Sequence, residues 1–134
     1  MPRFAVLEHT GAPDDPAGRH FDLLLEDGPA CRTWRLMEIP QADGPAVAAL
    51  ELPPHRLAWL DTTAAEVSGG RGHASRVDAG SFVPLALDAD SVAAATSLVL
   101  GVTGAVLAGR LRLESFPDGW AVSLKAGEGG PGSV

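Results

Sequence analysis

Two histidines and one aspartate near the N-terminus are the residues best suited to do chemistry. His20 and Asp22 are two positions apart in the run HFDLLLE, where an extended strand would send both side chains to the same face. His9 follows another apolar run and would add a third ligand if the two strands pair. Two imidazoles and one carboxylate form a facial set that binds a divalent metal and leaves open positions. The spacing predicts a metal site, although it also fits a half-buried strand whose polar face carries His and Asp.

The segments that must position these residues are short and separated by turns. The chain has 16 glycines and 11 prolines in 134 residues, which favours short strands over a helical bundle. The strand candidates are RFAVLE, HFDLLLE, CRTWRLMEI, ASRV, SFVPL, SLVLGVTG, VLAGRLRLESF and WAVSLK. An Asp/Ser cap before alanines makes 88–97 the best helix candidate. We expect a mainly β protein: a compact β-barrel of about eight short strands with one or two short helices, spanning 1–126, and a flexible C-terminal tail at 127–134.

Three local patterns give more detailed expectations. Pro53 and Pro54 are predicted to break strand pairing and to place His55 just after a rigid corner. The residues 78–80 are predicted to turn between two strands. The glycine-rich stretch SGGRGH is predicted to be a hairpin connection, because its order matches neither dinucleotide-binding nor P-loop fingerprints.

The overall composition restricts the functional classes. The net charge is −7, whereas a dedicated nucleic-acid binder usually carries a basic footprint. A phosphate-containing ligand would therefore need a local cation, most obviously a metal. No apolar run approaches the length of about 20 residues that spans a bilayer, and no secretory signal is evident, so we expect a cytoplasmic protein without membrane partners. The single cysteine, Cys31, excludes an intrachain disulfide and fits a reducing compartment.

Several stretches together carry a likeness to a known family. In chain order they are FAVLEH, HFDLLLEDG, Trp34, HRLAW, SGGRG, VDAGSF, LGVTGAVLAGRLRL and WAVSLK. They match, in the same order, that family's patterns F-V-V-Q-x-H, H-Y-D-F-R-L-E-x-D-G, x-x-W, H-P-L-x-Y, a glycine-rich turn, W-D-x-G-x-W and a closing segment ending in W-x-L-x-K. The sequence thus resembles the 3′-phosphoesterase domain of bacterial DNA ligase D and its stand-alone relatives over nearly its whole length.

The resemblance implies a β-barrel whose cavity binds a divalent metal, typically manganese, with zinc or another transition metal as alternatives. Such hydrolases trim 3′ ends of DNA during repair, removing 3′-phosphates and 3′-ribonucleotides. Carried over by position, His9, His20 and Asp22 would be the metal ligands. His55 would be the catalytic residue that contacts the scissile phosphate or its leaving group.

Other positions are assigned by the same likeness or by the strand pattern. Trp59 replaces the family's tyrosine, keeping a ring while exchanging the hydroxyl for an N–H, and with Arg56 it is predicted to bind substrate. Glu26 shares a predicted strand face with His20 and would either orient an imidazole or be a solvated strand end. The predicted partners are 3′ ends of DNA or another phosphate ester, bound weakly, and a ligase or polymerase acting in trans.

Two departures from the family pattern concern the phosphate-binding cations. Leu24 stands where the family has arginine, and Glu38 stands where it usually has lysine. The arginines that could substitute are Arg19, Arg35, Arg56 and Arg71. These departures keep open an alternative function, a non-catalytic or altered-substrate relative serving as a metal- or ligand-binding accessory module. At least one Arg or Lys beside the metal's open side is required for the phosphoesterase hypothesis.

Overall fold

The computed structural model describes residues 1–127, which form nine strands and one 3-10 helix. The strands are β1 (Arg3–Thr10), β2 (Arg19–Asp27), β3 (Ala30–Leu36), β4 (Val47–Arg56), β5 (Ala64–Glu66), β6 (His73–Leu87), β7 (Ser97–Thr103), β8 (Ala108–Phe116) and β9 (Gly119–Lys125), and the 3-10 helix is Leu57–Asp61. Apart from Gly127, the predicted tail lies outside the described residues. Among residues 1–127, no helix is both long and apolar enough to cross a membrane.

The strands form one antiparallel sheet that closes on itself. The strand order is β1-β2-β3-β4-β9-β8-β7-β6-β5, and β6 also pairs with β1. The ring therefore consists of eight strands, all except β5, and the pairing of β6 with β1 closes it. The short strand β5 pairs with β6 outside the ring, and the glycine-rich stretch connects the two as a hairpin. The predicted mainly β, barrel-like architecture is confirmed, with nine strands in place of about eight.

The predicted helix at 88–97 is wrong, because this segment forms turns. The Asp88 carboxylate accepts the backbone N–H of Thr96 at 2.7 Å and also bonds the hydroxyl of that residue. On β3, Arg32 Nη1 donates to the Ala95 carbonyl oxygen at 2.7 Å. Side chains thus bind backbone groups that a helix would need for its own hydrogen bonds.

The predicted break in pairing at Pro53 and Pro54 is confirmed, but it is local: neither proline is paired in the register with β3, and pairing resumes at His55 opposite Cys31. β4 continues through both prolines, and its register against β3 shifts between Cys31 and Thr33. β4 pairs with β9 only through Val47–Ala49 in the described chain. The prolines therefore lie on a strand edge without a second partner, beside an irregularity, where a missing N–H costs little.

The turn predicted at 78–80 is absent, because β6 runs continuously through it. A Cβ atom on Gly80 would lie 2.0 Å from the carbonyl oxygen of Thr103, so glycine permits close approach of β7 here. The Asp78 carboxylate accepts N–H groups of the β7–β8 turn, including that of Leu107 at 2.7 Å. These residues join β6 to its neighbours, and turn-forming residue types misled the prediction.

The sheet has a large core inside the ring and a smaller one on its outer face. The larger cluster draws apolar residues from all eight ring strands, including Phe4, Leu23, Trp34, Val47, Phe82, Leu98, Leu111 and Val122. The smaller consists of Ala5, Leu7, Leu24, Cys31, Leu60 and Ala74, with Leu57, Trp59 and Val67 packed against it. The 3-10 helix therefore covers part of the outer face of β1 and β2, and the candidate site lies beside it.

Candidate metal centre

Pairing of β1 with β2 brings the three candidate ligands together. His9 lies opposite His20, and Asp22 lies opposite Leu7. One ligand atom of each of His9, His20 and Asp22 falls within 4.8 Å of the others, the one such cluster among the described residues. The predicted strand pairing is confirmed. The resemblance implied a site in the barrel cavity, but these residues alternate with core residues and lie on the outer face, because apolar side chains fill the interior.

Asp15 fixes the orientation of His20. His20 is fully buried, and its Nδ1 lies 2.8 Å from the Asp15 carboxylate oxygen Oδ2. An ionised carboxylate only accepts hydrogen bonds, so Nδ1 donates and Nε2 retains a lone pair. Asp15 is itself held by the backbone N–H of Ala17 at 3.0 Å. The hydrogen bond to His20 is the main cause that lowers the pKa of Asp15. Carboxylate–imidazole pairs of this kind orient metal-binding histidines.

His9 is held through its other ring nitrogen. Its Nε2 lies 2.7 Å from the carbonyl oxygen of Arg71, so Nε2 donates and Nδ1 retains the lone pair. His9 Nδ1 is 3.7 Å from Asp22 Oδ2, and the two imidazole rings meet edge to face with centroids 4.8 Å apart. The two histidines therefore present different nitrogens to the same carboxylate.

Two buried acceptor atoms face each other where these groups meet. His20 Nε2 and Asp22 Oδ1 are buried 3.3 Å apart, and neither has a hydrogen-bond partner among the described residues. In the tautomer set by Asp15 both atoms are acceptors, which repel each other unless a cation lies between them. The donor set of two imidazoles and one carboxylate therefore fits a divalent metal.

A proton on His20 would be the competing cation. Burial acts to lower the pKa of His20, but the nearby carboxylates outweigh burial and raise that pKa above its ordinary value. Asp22 lies 3.3 Å from Nε2, and Asp15 accepts the hydrogen bond from Nδ1. Metal ligands must be deprotonated, so a metal and a proton compete for the same lone pair.

A cavity of about 330 Å³ opens beside the cluster. His9 and Asp22 line it, together with three more of the predicted site residues, His55, Arg56 and Trp59. These last three come from the end of β4 and the 3-10 helix, which fold over the outer face. The structure therefore gathers the predicted catalytic and substrate-binding residues around one opening.

His55 is partly buried and has one ring nitrogen engaged. Its Nδ1 donates to the Pro53 carbonyl oxygen at 3.0 Å. Nε2 is therefore left to accept a hydrogen bond in the neutral ring, or to carry a proton in the charged ring. This histidine is equipped to give or take a proton at Nε2.

Three arginines lie around the opening. Arg56 and Arg71 line the cavity, and Arg35 lines an adjoining depression with His9, Asp22 and His55. The predicted requirement for a local cation is therefore met. By contrast, Arg19 is exposed and lies 3.5 Å from Glu8.

Leu24 and Glu38, the two residues that depart from the family pattern, and Glu26 do not line the cavity. Leu24 is fully buried in the outer core, and Glu38 is exposed. The predicted orienting role of Glu26 is not observed, because its carboxylate accepts the backbone N–H of Arg3 at 2.8 Å at the other end of β2. Asp15 takes that role. Sequence analysis missed it because a loop aspartate among prolines has the composition of an ordinary turn.

Comparison with known proteins supplies no family for this chain. No protein-family model matches the sequence, and no curated protein matches it significantly. The chemistry of the site therefore carries the functional argument: three convergent lone pairs, an adjacent histidine and three arginines around one opening.

Proposed function

We propose that this protein is a metal-dependent phosphoesterase that trims 3′-phosphate or 3′-ribonucleotide ends of DNA during repair. The observation that carries the proposal is the buried pair of acceptors His20 Nε2 and Asp22 Oδ1, which have no hydrogen-bond partner within residues 1–127 and lie beside His9 Nδ1. The histidine and arginines at the adjoining opening supply the charge that a phosphate ester needs. The sequence resemblance to the ligase D domain supplies the substrate class.

The ligand set suits this chemistry. Manganese, zinc or another transition metal held by His9, His20 and Asp22 would supply Lewis-acid charge at the phosphoryl group. Two neutral imidazoles and one carboxylate neutralise only one of its two positive charges. Asp15 and the Arg71 carbonyl hold the rings in place, which limits reorganisation during reaction.

His55 is proposed as the residue that acts on the leaving group. In hydrolysis, the oxygen of water bonds to phosphorus, the ester P–O bond breaks, and the departing 3′ oxygen takes a proton. One proton of the water stays on the released phosphate, and the other replaces the proton given to the 3′ oxygen. A charged His55 would donate that proton from Nε2, because Nδ1 remains bound to the Pro53 carbonyl.

The remaining cavity residues are proposed to bind the nucleotide. The partly exposed ring of Trp59 can stack on a base, and Arg56 can contact the strand's backbone. With a net charge of −7, the protein should bind DNA weakly. A ligase or polymerase acting in trans in the cytoplasm would then use the trimmed 3′ ends.

A second candidate function is a metal- or ligand-binding accessory module without catalysis. It is favoured by the state of two arginines at the opening. Arg35 is paired with Asp14, and Arg71 donates to the carbonyl and hydroxyl oxygens of Ser68. In this arrangement each guanidinium already bonds acceptors of the protein, so neither has all of its N–H donors free for a phosphate.

The deciding experiment is manganese-dependent phosphate release from a 3′-phosphorylated primer-template. His9→Ala and His55→Ala should each lower the rate by about a hundredfold or more. His73→Ala is the matched control, since His73 bonds Glu66 outside the cavity. Stoichiometric manganese binding without release would favour the accessory module. Absence of both would contradict both functions.

A further inference from the structure

We propose that Arg35 is the phosphate-binding residue of this site, and that Asp14 neutralises its guanidinium until a phosphoryl group displaces the carboxylate. The inference rests on the proposed function, because it takes a phosphate ester as the ligand. It adds an identified binding residue and an internal competitor for it.

Strand register places Arg35 beside the metal ligands. On β3, Arg35 lies directly opposite Asp22 of β2, so both side chains project from the outer face of the sheet. Arg35 lines the same depression as His9, Asp22 and His55. Its positive charge acts on the pKa values of both Asp15 and His20. A phosphoryl group at the cluster would therefore meet this guanidinium.

The guanidinium has unused hydrogen-bonding capacity. The Arg35 side chain is only 15% exposed. Its Nε is buried and has no hydrogen-bond partner among the described residues. A buried N–H without an acceptor is costly, and two oxygens of a phosphate can satisfy an arginine in a bidentate pair. The site therefore presents an unsatisfied donor where an anionic ligand would lie.

Asp14 is a weak and displaceable partner. Its carboxylate oxygens lie 3.3 and 3.4 Å from Arg35 Nη2, which is longer than a strong charge-assisted bond. The Asp14 side chain is 72% exposed, so water can replace the arginine readily. The neighbouring Asp15 is anchored to His20 at 2.8 Å. The loop can therefore keep the imidazole in place while the Asp14 side chain swings away.

The other two cavity arginines fit this role less well. Arg71 Nε and Nη2 already donate to Ser68, at 2.6 and 3.0 Å. Arg56 is exposed, at the rim of the opening. Among these arginines, Arg35 combines burial, an unpartnered nitrogen and a position directly opposite a metal ligand.

The test measures binding of inorganic phosphate to the manganese-loaded full chain. Binding is monitored by the broadening that manganese causes in the ³¹P resonance. Arg35→Gln should weaken phosphate binding by about tenfold or more, since a charge-assisted pair is lost. Arg35→Lys keeps the charge without the fork and should fall between wild type and Arg35→Gln. Asp14→Asn should tighten binding several-fold. Arg19→Gln, which removes the same charge outside the cavity, should leave phosphate affinity unchanged.

The outcomes separate this inference from the proposed function. Unchanged phosphate affinity in Arg35→Gln, or no binding by the wild type, would overturn the inference. Phosphate binding that depends on Arg35, without hydrolysis of any 3′-phosphorylated DNA, would support it while refuting the phosphoesterase. Hydrolysis that requires His55, with a KM that Arg35→Gln leaves unchanged, would support the phosphoesterase and overturn the inference about Arg35. Circular dichroism and the behaviour of Arg35→Lys guard against a folding defect.

Discussion

The two faces of β2 show how one strand serves stability and chemistry at once. Phe21, Leu23 and Leu25 point into the ring and join its apolar core. Alternating with them, His20 and Asp22 point outward, where they are just as buried but leave two acceptors unpartnered among the described residues. Burial of the inner face stabilises the fold by removing apolar surface from water. On the outer face, the buried acceptors lower stability in the metal-free protein and leave lone pairs that a cation can bind.

The largest change in stability should come from the inner face. Leu23→Ala removes a fully buried side chain and should lower the free energy of unfolding by about 2–5 kcal/mol. Chemical denaturation measures this loss. Manganese affinity of the folded protein should stay the same, because Leu23 faces away from the ligands. A loss below about 1 kcal/mol would mean that the ring interior is not the main source of stability.

The outer face should respond in the opposite way to Asp22→Asn. This change removes the charged acceptor that faces His20 Nε2 at 3.3 Å. At a pH where His20 is neutral, the metal-free protein should therefore melt no lower than wild type. Manganese affinity should fall by about a hundredfold or more, because a carboxylate ligand becomes a neutral amide. Calorimetric titration and thermal melts of the same preparation give both values. A clear drop in the melting temperature with intact metal binding would make Asp22 a purely structural residue.

A smaller effect is expected from Asp15, which bonds Nδ1 of His20 and does not contact the lone pair on Nε2. Asp15→Ala removes the acceptor that fixes the tautomer of His20 and should weaken manganese binding about 10–100-fold. Asp118→Ala is the control, because it removes an exposed aspartate from the turn between β8 and β9, and it should leave manganese affinity unchanged. Equal metal affinity in both variants would show that the imidazole is oriented by packing alone.

The smallest and most specific effect should be on pH dependence. The pKa of His20 is raised in the metal-free protein, so its charged form contributes stability that is fully present below the ordinary pKa of about 6.5. That contribution is lost as pH rises through the higher folded-state value, while manganese binding strengthens over the same range. Thermal melts of wild type and His20→Gln, with and without manganese, measure both trends. Parallel pH profiles for the two proteins would contradict this account.

The strand pattern predicted the clustering of His9, His20 and Asp22 well because alternation is a local property. The spacing of His20 and Asp22 fixed a common face, and one pairing brought His9 opposite His20. Asp15 and Arg35 could not be assigned in this way. Their roles depend on a loop conformation and on the register of a third strand, which residue types do not specify.

The errors in the fold have a similar cause. The segment 88–97 has helical composition, but Arg32, more than 50 residues earlier in the chain, binds its Ala95 carbonyl. Gly80 has turn chemistry, yet it serves the close approach of the Thr103 carbonyl. In both places a tertiary contact outweighed local propensity.

The most direct test of the metal centre is a crystal structure of the manganese-soaked protein, with anomalous diffraction measured at the manganese edge. The account predicts one peak bound by His9 Nδ1, His20 Nε2 and an Asp22 oxygen, with His20 Nδ1 still bonded to Asp15. The choice of a different nitrogen on each ring is specific to the hydrogen bonds seen here. No peak at this cluster, or a metal bound through His9 Nε2, would contradict the account.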